Sequence, residues 1–330
     1  MLAPIAWRTP PRHYGPWELV TSLLTEALVA KGLDVTLFAT QDSLTAATLA
    51  GVVPAPYSED PSIDAKVWEH RHLAHLFERA GEFDLIHNQA DFPAHAFANL
   101  VSTPMVTTIH GFSSDRILPM YAPYDTRVHY VAISASDRHP ALRYAATIHH
   151  GIRMDEFPLD PHGAESLLFF GRIHPDKGPA AAIAAAHAAG RPLDLYGIVQ
   201  DQDCFERDVA PALSDSVRYH GPVGGAERVQ ALGRARALLH LIDFDEPFGL
   251  SVVEAMACGT PVIATRRGSM PELIEHGITG FLVDSPQEAV EAIHHAGELD
   301  RTTIRRHAAA RFGIERMADE YIALYRRILG

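Results

Sequence analysis

Two glutamates eight positions apart lie in the segment whose residue types and spacing best fit a ligand site, Asp245 to Ala264 (DEPFGLSVVEAMACGTPVIA). Its Pro-Phe-Gly turn predicts a helix that begins near Leu250 and ends at Gly259. The first amides of such a helix lack internal partners and lie at the positive end of its dipole, where a diphosphate binds readily. Glu246 and Glu254, on either side of these amides, are suited to accept hydrogen bonds from sugar hydroxyls. Either glutamate taken alone is better explained as a solvated acid.

Two cations, Arg172 and Lys177, follow an apolar run in a second segment, GRIHPDKG. The flanking glycines, Gly171 and Gly178, let the backbone approach a ligand closely. An arginine and a lysine at the end of a strand could neutralise the charge that grows on a departing nucleoside diphosphate. Taken alone, this loop is explained equally well as a solvated turn.

Two weaker signals come from the first half of the chain. Gly15 lies in the run Tyr14 to Glu18 (YGPWE), at the place where Rossmann-like folds keep a glycine turn facing the ligand. His110 and Gly111 end an apolar strand, at the edge where open α/β sheets bind ligands. A single glycine or histidine at such a place is more often structural.

Short apolar strands alternating with amphipathic helices must position these residues, which predicts parallel sheets covered on both faces. An i, i+3, i+4 stripe from Leu19 to Leu28, followed by Gly32, predicts the first helix and its end. The strands predicted in the first half are Ala3 to Trp7, Val35 to Ala39, Leu85 to His87, Met105 to Ile109 and His129 to Ile133.

The alternation restarts after a Pro-, Asp-, His- and Gly-rich crossover at about 151–163, which predicts two α/β domains beside a cleft. The strands predicted in this half are Leu167 to Phe170, Leu193 to Tyr196, Val217 to His220, Ala237 to Leu241 and Pro261 to Ala264. An apolar stripe from Glu315 to Leu329 predicts a final helix. We expect domains at 1–152 and 153–312, and a crossover helix at 313–330 that packs back on the first domain.

Together these motifs resemble the retaining glycosyltransferases of family 4, which have the GT-B fold. The span from Glu246 to Glu254 resembles that family's E-x7-E signature, and the sequence from Phe248 to Ala264 resembles the family's pattern around and beyond the second glutamate. Gly171 to Gly178 resembles the family's G-R-x4-K-G diphosphate loop, and Gly268 to Gly280 resembles a turn further downstream. The resemblance extends over nearly the whole chain.

The resemblance implies a role for each matched residue. Arg172 and Lys177 would hold the diphosphate and stabilise the leaving group, Glu254 would bind the ribose hydroxyls, and Glu246 would bind those of the donor sugar. The other residues implied in donor binding are Gly15, Gly171, Val223, Phe248, Gly249, Leu250 and Ser251. His110 would lie near the sugar as a catalytic residue, and Tyr14, Trp17 and His110 would line the acceptor side.

The first loop departs from the family pattern. The family often has two glycines there, as Y-G-G-x-E, where this chain has Pro16 and Trp17 after Gly15. These bulkier residues would reshape the acceptor side and would not touch the diphosphate site. The resemblance further implies hexose transfer with retention of configuration, without a cofactor and without a metal. The nucleotide of the donor stays open among UDP, GDP and ADP. UDP-glucose is slightly preferred as the donor, and a saccharide or small hydroxyl compound as the acceptor.

Composition narrows the choice of partners and compartment. The 330 residues carry 28 Lys and Arg against 41 Asp and Glu, a net charge of −13, which argues against a nucleic-acid partner. No run approaches the roughly 18 apolar residues of a spanning helix, and the start lacks the layout of a secretory signal. We therefore expect a cytoplasmic protein, with peripheral membrane contact and the oligomeric state left open.

Four other functions are alternatives to transfer. An NAD-dependent oxidoreductase needs G-x-G-x-x-G after the first strand, where this chain has only Gly15. A metal site is suggested by His70, His72 and His75, but their spacing spreads them over more than one helix face. A nucleotide-sugar-binding protein without transferase activity, and a sugar epimerase on the same fold, stay open, although the paired motifs favour transfer.

Overall fold

The computed structural model describes residues 1–13, 15–111 and 115–330. The chain divides into two compact units, Met1–Gly151 with Ile314–Gly330, and Ile152–Gly313. Each unit is built on a parallel sheet. Within the described ranges, no helix is long and apolar enough to cross a membrane.

The first unit contains a four-stranded parallel sheet and a two-stranded one. The four strands, in spatial order, are β3 Ile86–Asn88, β4 Met105–Ile109, β5 Val128–Ala132 and β6 Tyr144–Thr147, and the smaller sheet pairs β1 Thr36–Leu37 with β2 Thr48–Leu49. Leu2 joins the two sheets, because it forms parallel bridges to both Phe38 and Asn88. The helices described in this unit are α1 Pro16–Ala30, α2 Ala65–Phe77, α3 Leu118–Tyr121 and α11 Ile314–Leu329.

The strand predicted at Ala3 to Trp7 is wrong. Sheet pairing is confined to the start of the chain, where the Leu2 amide donates to the His87 carbonyl (2.8 Å) and the Ala3 amide to the Phe38 carbonyl (2.9 Å). Pro4 has no amide hydrogen to continue the ladder, and the backbone bends over residues 5–7. The other predicted strands of this half are confirmed, in shorter form at Val35 to Ala39.

The first and last helices of the first unit, α1 and α11, form where the sequence predicts them. The end of α1 is a Schellman motif. Gly32 has φ +85°, its amide donates to the Val29 carbonyl, and the Leu33 amide donates to the Leu28 carbonyl. α11 buries Tyr321 and Tyr325 and packs against α1. Two ion pairs support this contact, because the Lys31 ammonium lies 2.9 Å from Glu315 and 2.8 Å from Asp319.

The second unit is a doubly wound sheet of six parallel strands. In spatial order these are β12 Gly280–Val283, β11 Val262–Thr265, β10 Leu238–His240, β7 Leu167–Phe170, β8 Leu193–Tyr196 and β9 Val217–Tyr219. The helices described here are α4 Pro179–Ala188, α5 Gln202–Cys204, α6 Gly225–Arg234, α7 Leu250–Ala257, α8 Met270–Leu273, α9 Pro286–His295 and α10 Arg301–Phe312. The strand order reverses between β7 and β10, which lie side by side, and ligands bind at the carboxyl ends of strands at such a point.

Candidate functional site

The loops that follow β7 and β10 are joined at the carboxyl edge of the second unit's sheet. The Asp243 amide, after β10, donates to the Asp176 carbonyl in the loop after β7 (2.8 Å). Gly178 closes that loop with φ +70°, and a Cβ there would lie 1.9 Å from the Leu241 carbonyl oxygen. Only glycine fits this approach, so Gly178 fixes the position of its neighbour Lys177 against β10.

Lys177 and Glu246 form the centre of the candidate site. The Lys177 Nζ lies 2.5 Å from Glu246 Oε2 and 4.5 Å from the ring centroid of Phe244. The two side chains are only 15% and 14% exposed. His240, at the end of β10, places its Nε2 3.6 Å from the same carboxylate oxygen. Two nitrogen groups therefore lie near the same oxygen of the Glu246 carboxylate.

The ionisation of Glu246 follows from these neighbours. Burial alone would raise its pKa, but His240 and Lys177 outweigh burial and lower the pKa to about 2. Glu246 is therefore a permanent carboxylate at neutral pH. It can accept hydrogen bonds and cannot act as a proton donor there.

A turn after β11 supports the Glu246 loop from the other side. The Ser269 amide donates to the Glu246 carbonyl (2.9 Å), and the Ser269 hydroxyl donates to the Phe248 carbonyl (2.5 Å). Gly268 has φ +52°, and a Cβ there would lie 2.4 Å from the Glu246 amide nitrogen. The turn that begins at Gly268 resembles the family's sequence. Its role in this structure is to hold the backbone of residues 246–248.

Arg172 lies in the same loop as Lys177 but makes different contacts. Its guanidinium donates to the Gln200 side chain and lies 3.9 Å from Asp176. Its side chain is 26% exposed, more than that of Lys177. The Gly171 amide donates to the Tyr196 carbonyl (3.0 Å), which holds the start of the loop against the end of β8. The loop therefore presents two cations that differ in exposure: Lys177 is held closely by Glu246, and Arg172 is more accessible.

The amino terminus of α7 has the predicted form. Gly249 precedes it with φ +98° and, as a glycine, has no side chain that could cap the helix. The amides of Leu250 and Ser251 donate no hydrogen bond to any residue in the described part of the chain. Two free amides at the positive end of a helix favour an anion. Phe248 is buried with its ring 6.2 Å from that of Phe312, so the side chain belongs to the core.

Glu254 is buried on α7, with 1% of the residue exposed. Arg228, on α6, forms an ion pair with its Oε1. Its Oε2 is buried without a hydrogen-bond partner among the residues described. Burial raises the pKa of Glu254, and the charge of Arg228 opposes that rise. One oxygen of this carboxylate is therefore held by the protein and the other is unsatisfied.

The first unit holds the remaining predicted site residues. His110 is buried, its Nε2 lies 2.7 Å from the Gln89 side-chain oxygen, and its ring stacks on Trp17 with centroids 5.3 Å apart. Burial lowers the pKa of His110 to about 3, so the ring is neutral at neutral pH. Gly15 precedes α1 with φ +148°. Tyr14 lies outside the described residues.

The structure thus brings Lys177 and Glu246 into contact and places Arg172 and the α7 amides on neighbouring loops. Val223 lies half-exposed in the loop between β9 and α6, and its role in donor binding stays a prediction. Sequence reasoning missed Arg228, His240, Gln200 and Ser269. His240 left a signal, because it lies in a predicted strand, Ala237 to Leu241, six residues before Glu246. Nothing in the local sequence pairs Arg228 with Glu254.

The histidines considered for a metal site have separate partners. His72 Nε2 lies 3.0 Å from the Ala3 carbonyl, the His75 ring packs edge-on against Phe38, and His70 Nδ1 lies 2.7 Å from the Lys66 carbonyl. In the described ranges, no three His, Cys, Asp or Glu side chains are arranged to hold a metal ion.

Two family models match consecutive parts of the chain. The model described as glycosyl transferases group 1 matches residues 154–312, and the one described as glycosyltransferase family 4 matches residues 18–155. The chain belongs to the family 4 glycosyltransferases. The two matches meet near residue 154, close to the start of the second unit. The match to glycosyl transferases group 1 contains every second-unit site residue described above.

Curated relatives share part of their length with this chain. A D-inositol 3-phosphate glycosyltransferase of Pseudarthrobacter chlorophenolicus is 38% identical over 168 residues, 48% of this chain and 36% of that protein. One from Mycobacterium tuberculosis is 33% identical over 210 residues, 56% of this chain and 44% of that protein. The matched segments therefore span less than half of these relatives.

Solved structures match the whole chain. AviGT4, a glycosyltransferase involved in avilamycin A biosynthesis, has a TM-score of 0.71 at 24% identity, covering 99% of this chain and 97% of that one. Sucrose-phosphate synthase of Thermosynechococcus elongatus has a TM-score of 0.79 at 19% identity, and Anabaena HepE in complex with UDP has 0.74 at 19%; each match covers 99% of this chain and 98% of the other. These likenesses confirm the GT-B fold.

Proposed function

We propose that this protein transfers a hexose from a nucleoside diphosphate sugar, UDP-glucose first among the donors, to a hydroxyl of a saccharide or other small acceptor. The transfer retains the anomeric configuration and uses no divalent metal. The observation that carries this proposal is the combination at one sheet edge of two cations, two free helix amides and a permanent carboxylate. Anabaena HepE, which shares the fold, has been solved with UDP, with UDP and glucose, and with UDP-glucose.

The diphosphate would bind at the start of α7. Cleaving a glycosyl phosphate builds negative charge on the bridging oxygen and positive charge at the anomeric carbon. The free amides of Leu250 and Ser251 and the guanidinium of Arg172 are fixed donors for the departing diphosphate. Because the negative charge grows as the bond breaks, such donors stabilise the transition state more than the ground state. In this proposal they supply the positive charge that a metal supplies elsewhere.

Glu246 would bind the donor sugar and take no part in proton transfer. Its low pKa keeps it ionised, and Lys177 occupies one of its oxygens, which orients the carboxylate. A fixed carboxylate is a strong acceptor for sugar hydroxyls. We propose no covalent bond between Glu246 and the sugar. In the first unit, Trp17 and the neutral ring of His110 are the side chains proposed for the acceptor side, with His110 donating or accepting hydrogen bonds as an uncharged group.

The test is release of nucleoside diphosphate from UDP-, GDP- and ADP-glucose in EDTA, with a panel of saccharide acceptors, and proton NMR of the new anomeric signal. We expect one donor to be used, an α-configured product, and a loss of turnover of tenfold or more in Arg172→Ala. The matched control is Arg191→Ala, since Arg191 pairs with Glu165, an exposed carboxylate of the same unit. A β-configured product would overturn retention, and dependence on added Mg²⁺ or Mn²⁺ would overturn metal independence. A folded protein that binds these donors without turning over any of them would be a binding protein.

A further inference from the structure

The ion pair between Arg228 and Glu254 has a geometry that ordinary structural pairing does not explain. Glu254 is almost fully buried, and Arg228 satisfies only its Oε1. Oε2 lies beside it, buried and without a partner in the described part of the chain. An unsatisfied buried carboxylate oxygen costs free energy that a hydrogen-bond donor from a ligand would recover.

The helix that carries Arg228 packs loosely. Of the ten residues of α6, only Leu232 and Gly233 are buried. An open groove of about 1140 Å³ lies between α6 and residues 156–161, and the Arg228 guanidinium lies 6.0 Å from the ring centroid of Phe157 beside that groove. The ion pair therefore ties a sparsely packed helix to the buried carboxylate of α7.

We propose that Arg228 is a positioning residue for the nucleotide ribose. By holding Oε1 it fixes the Glu254 carboxylate so that Oε2 is presented to the ribose hydroxyls, and it balances the charge of that buried group. Ribose recognition then depends on α6 as well as on α7. This inference rests on the proposed function, in which Glu254 reads the ribose of the donor nucleotide.

The test compares the binding of UDP and of 2′,3′-dideoxy-UDP by calorimetry, with GDP and ADP and their dideoxy forms used in the same way if either is the preferred nucleotide. In the wild type, loss of both hydroxyls should weaken binding by about tenfold or more, as expected for hydrogen bonds to a charged group. Arg228→Ala should bind the full nucleotide more weakly and lose most of this discrimination. Arg228→Lys should recover part of it, because the cation returns without the planar guanidinium.

Two further variants keep the result interpretable. Arg234→Ala is the matched control, since Arg234 is an exposed arginine on the same helix beside the same groove; it should keep wild-type discrimination. Arg228→Met with Glu254→Gln removes both charges together, so that no buried charge is left unpaired. This folded double variant should also lose discrimination.

The outcomes separate this inference from the proposed function. Wild-type discrimination in Arg228→Ala, or tighter binding of the full nucleotide by that variant, would overturn the positioning role, and tighter binding would show that Arg228 competes with the ribose. Equal binding of both nucleotide forms by the wild type would overturn the role of Glu254 as well. Failure of the folded wild type to bind any nucleoside diphosphate would overturn the proposed function itself.

Discussion

Replacing Lys177 by methionine removes the cation beside Glu246 and keeps most of the side-chain volume. In the folded chain the pKa of Glu246 is about 2, against an ordinary value of 4.5. That difference corresponds to about 3 kcal/mol of stability for Glu246 and its partners together. Because His240 supplies part of it, we expect Lys177→Met to lower the free energy of unfolding by about 2 kcal/mol at pH 7. Breaking a well-buried pair costs more, about 3–5 kcal/mol, which sets an upper limit.

The effect of this substitution should depend on pH. A carboxylate whose pKa is lowered by folding contributes stability above its unfolded value, near pH 4.5, and this contribution is lost as the pH falls towards 2. Without Lys177 the pKa of Glu246 rises and the contribution shrinks. The difference between wild type and variant should therefore be complete above about pH 5 and smaller at pH 3.5.

The assay must report on the second unit. All three tryptophans, Trp7, Trp17 and Trp68, lie in the first unit, so tryptophan fluorescence follows that unit. Hydrogen exchange of peptides covering residues 238–258 follows the second unit, and thermal unfolding by circular dichroism reports on both units together. Lys66→Met, at an exposed lysine of α2, is the control and should change neither. An equal loss of stability at pH 7 and pH 3.5 would show that Lys177 does not act through the charge of Glu246. A double variant Lys177→Met with Glu246→Gln that is no more stable than Lys177→Met would show the same.

Three more predictions rest on single residues. Gly178→Ala should cost about 3 kcal/mol or more, measured by thermal unfolding, because its Cβ would lie 1.9 Å from the Leu241 carbonyl oxygen. Glu18→Gln should become more stable relative to wild type between pH 5 and pH 8, by up to about 3 kcal/mol in urea unfolding followed by tryptophan fluorescence. Burial raises the pKa of Glu18 to about 7, so the wild type loses stability as the pH rises from its unfolded value of 4.5 through 7. Tyr325→Phe should cost about 1–3 kcal/mol in the same assay, because it removes the hydroxyl 2.5 Å from His87 Nδ1 inside the core.

Each of these has a result that would contradict it. For Gly178 the control is Gly190→Ala: Gly190 has φ +64° and no atom within 4 Å of an added Cβ, so only the backbone cost of about 1 kcal/mol should appear. Equal losses of stability for the two variants would show that the Leu241 carbonyl does not exclude a side chain at residue 178. A Glu18→Gln difference that is the same at pH 5 and pH 8 would show that Glu18 ionises normally. An unchanged unfolding midpoint for Tyr325→Phe would show that water replaces the hydroxyl.

Local sequence signals predicted most of the elements and the loops of the site. Gly32 and Gly259 mark helix ends because a left-handed residue is needed there, and both have positive φ. The strands β2, β6 and β12 were missed. β2 has two residues and β12 begins with glycine, so neither carries a pattern that distinguishes it from a loop, and both are defined by pairing with strands elsewhere in the chain.

The rest of the site depends on contacts between distant parts of the chain. Arg228 and Glu254 are separated by 26 positions and meet only because α6 packs beside α7. The support of residues 246–248 by Ser269 likewise requires the fold. Spacing in the sequence predicts which groups share a loop, whereas partners brought together by sheet order require the three-dimensional structure.

A diphosphate site at the carboxyl edge of the second unit's sheet is tested by calorimetric titration of UDP, GDP and ADP into the protein in EDTA, with Arg172→Ala and its control Arg191→Ala. We expect one nucleotide to bind the wild type and Arg191→Ala in the micromolar range, and Arg172→Ala to bind it about tenfold or more weakly. Absence of binding by the folded wild type, or equal binding by Arg172→Ala, would contradict a diphosphate site at this edge of the sheet.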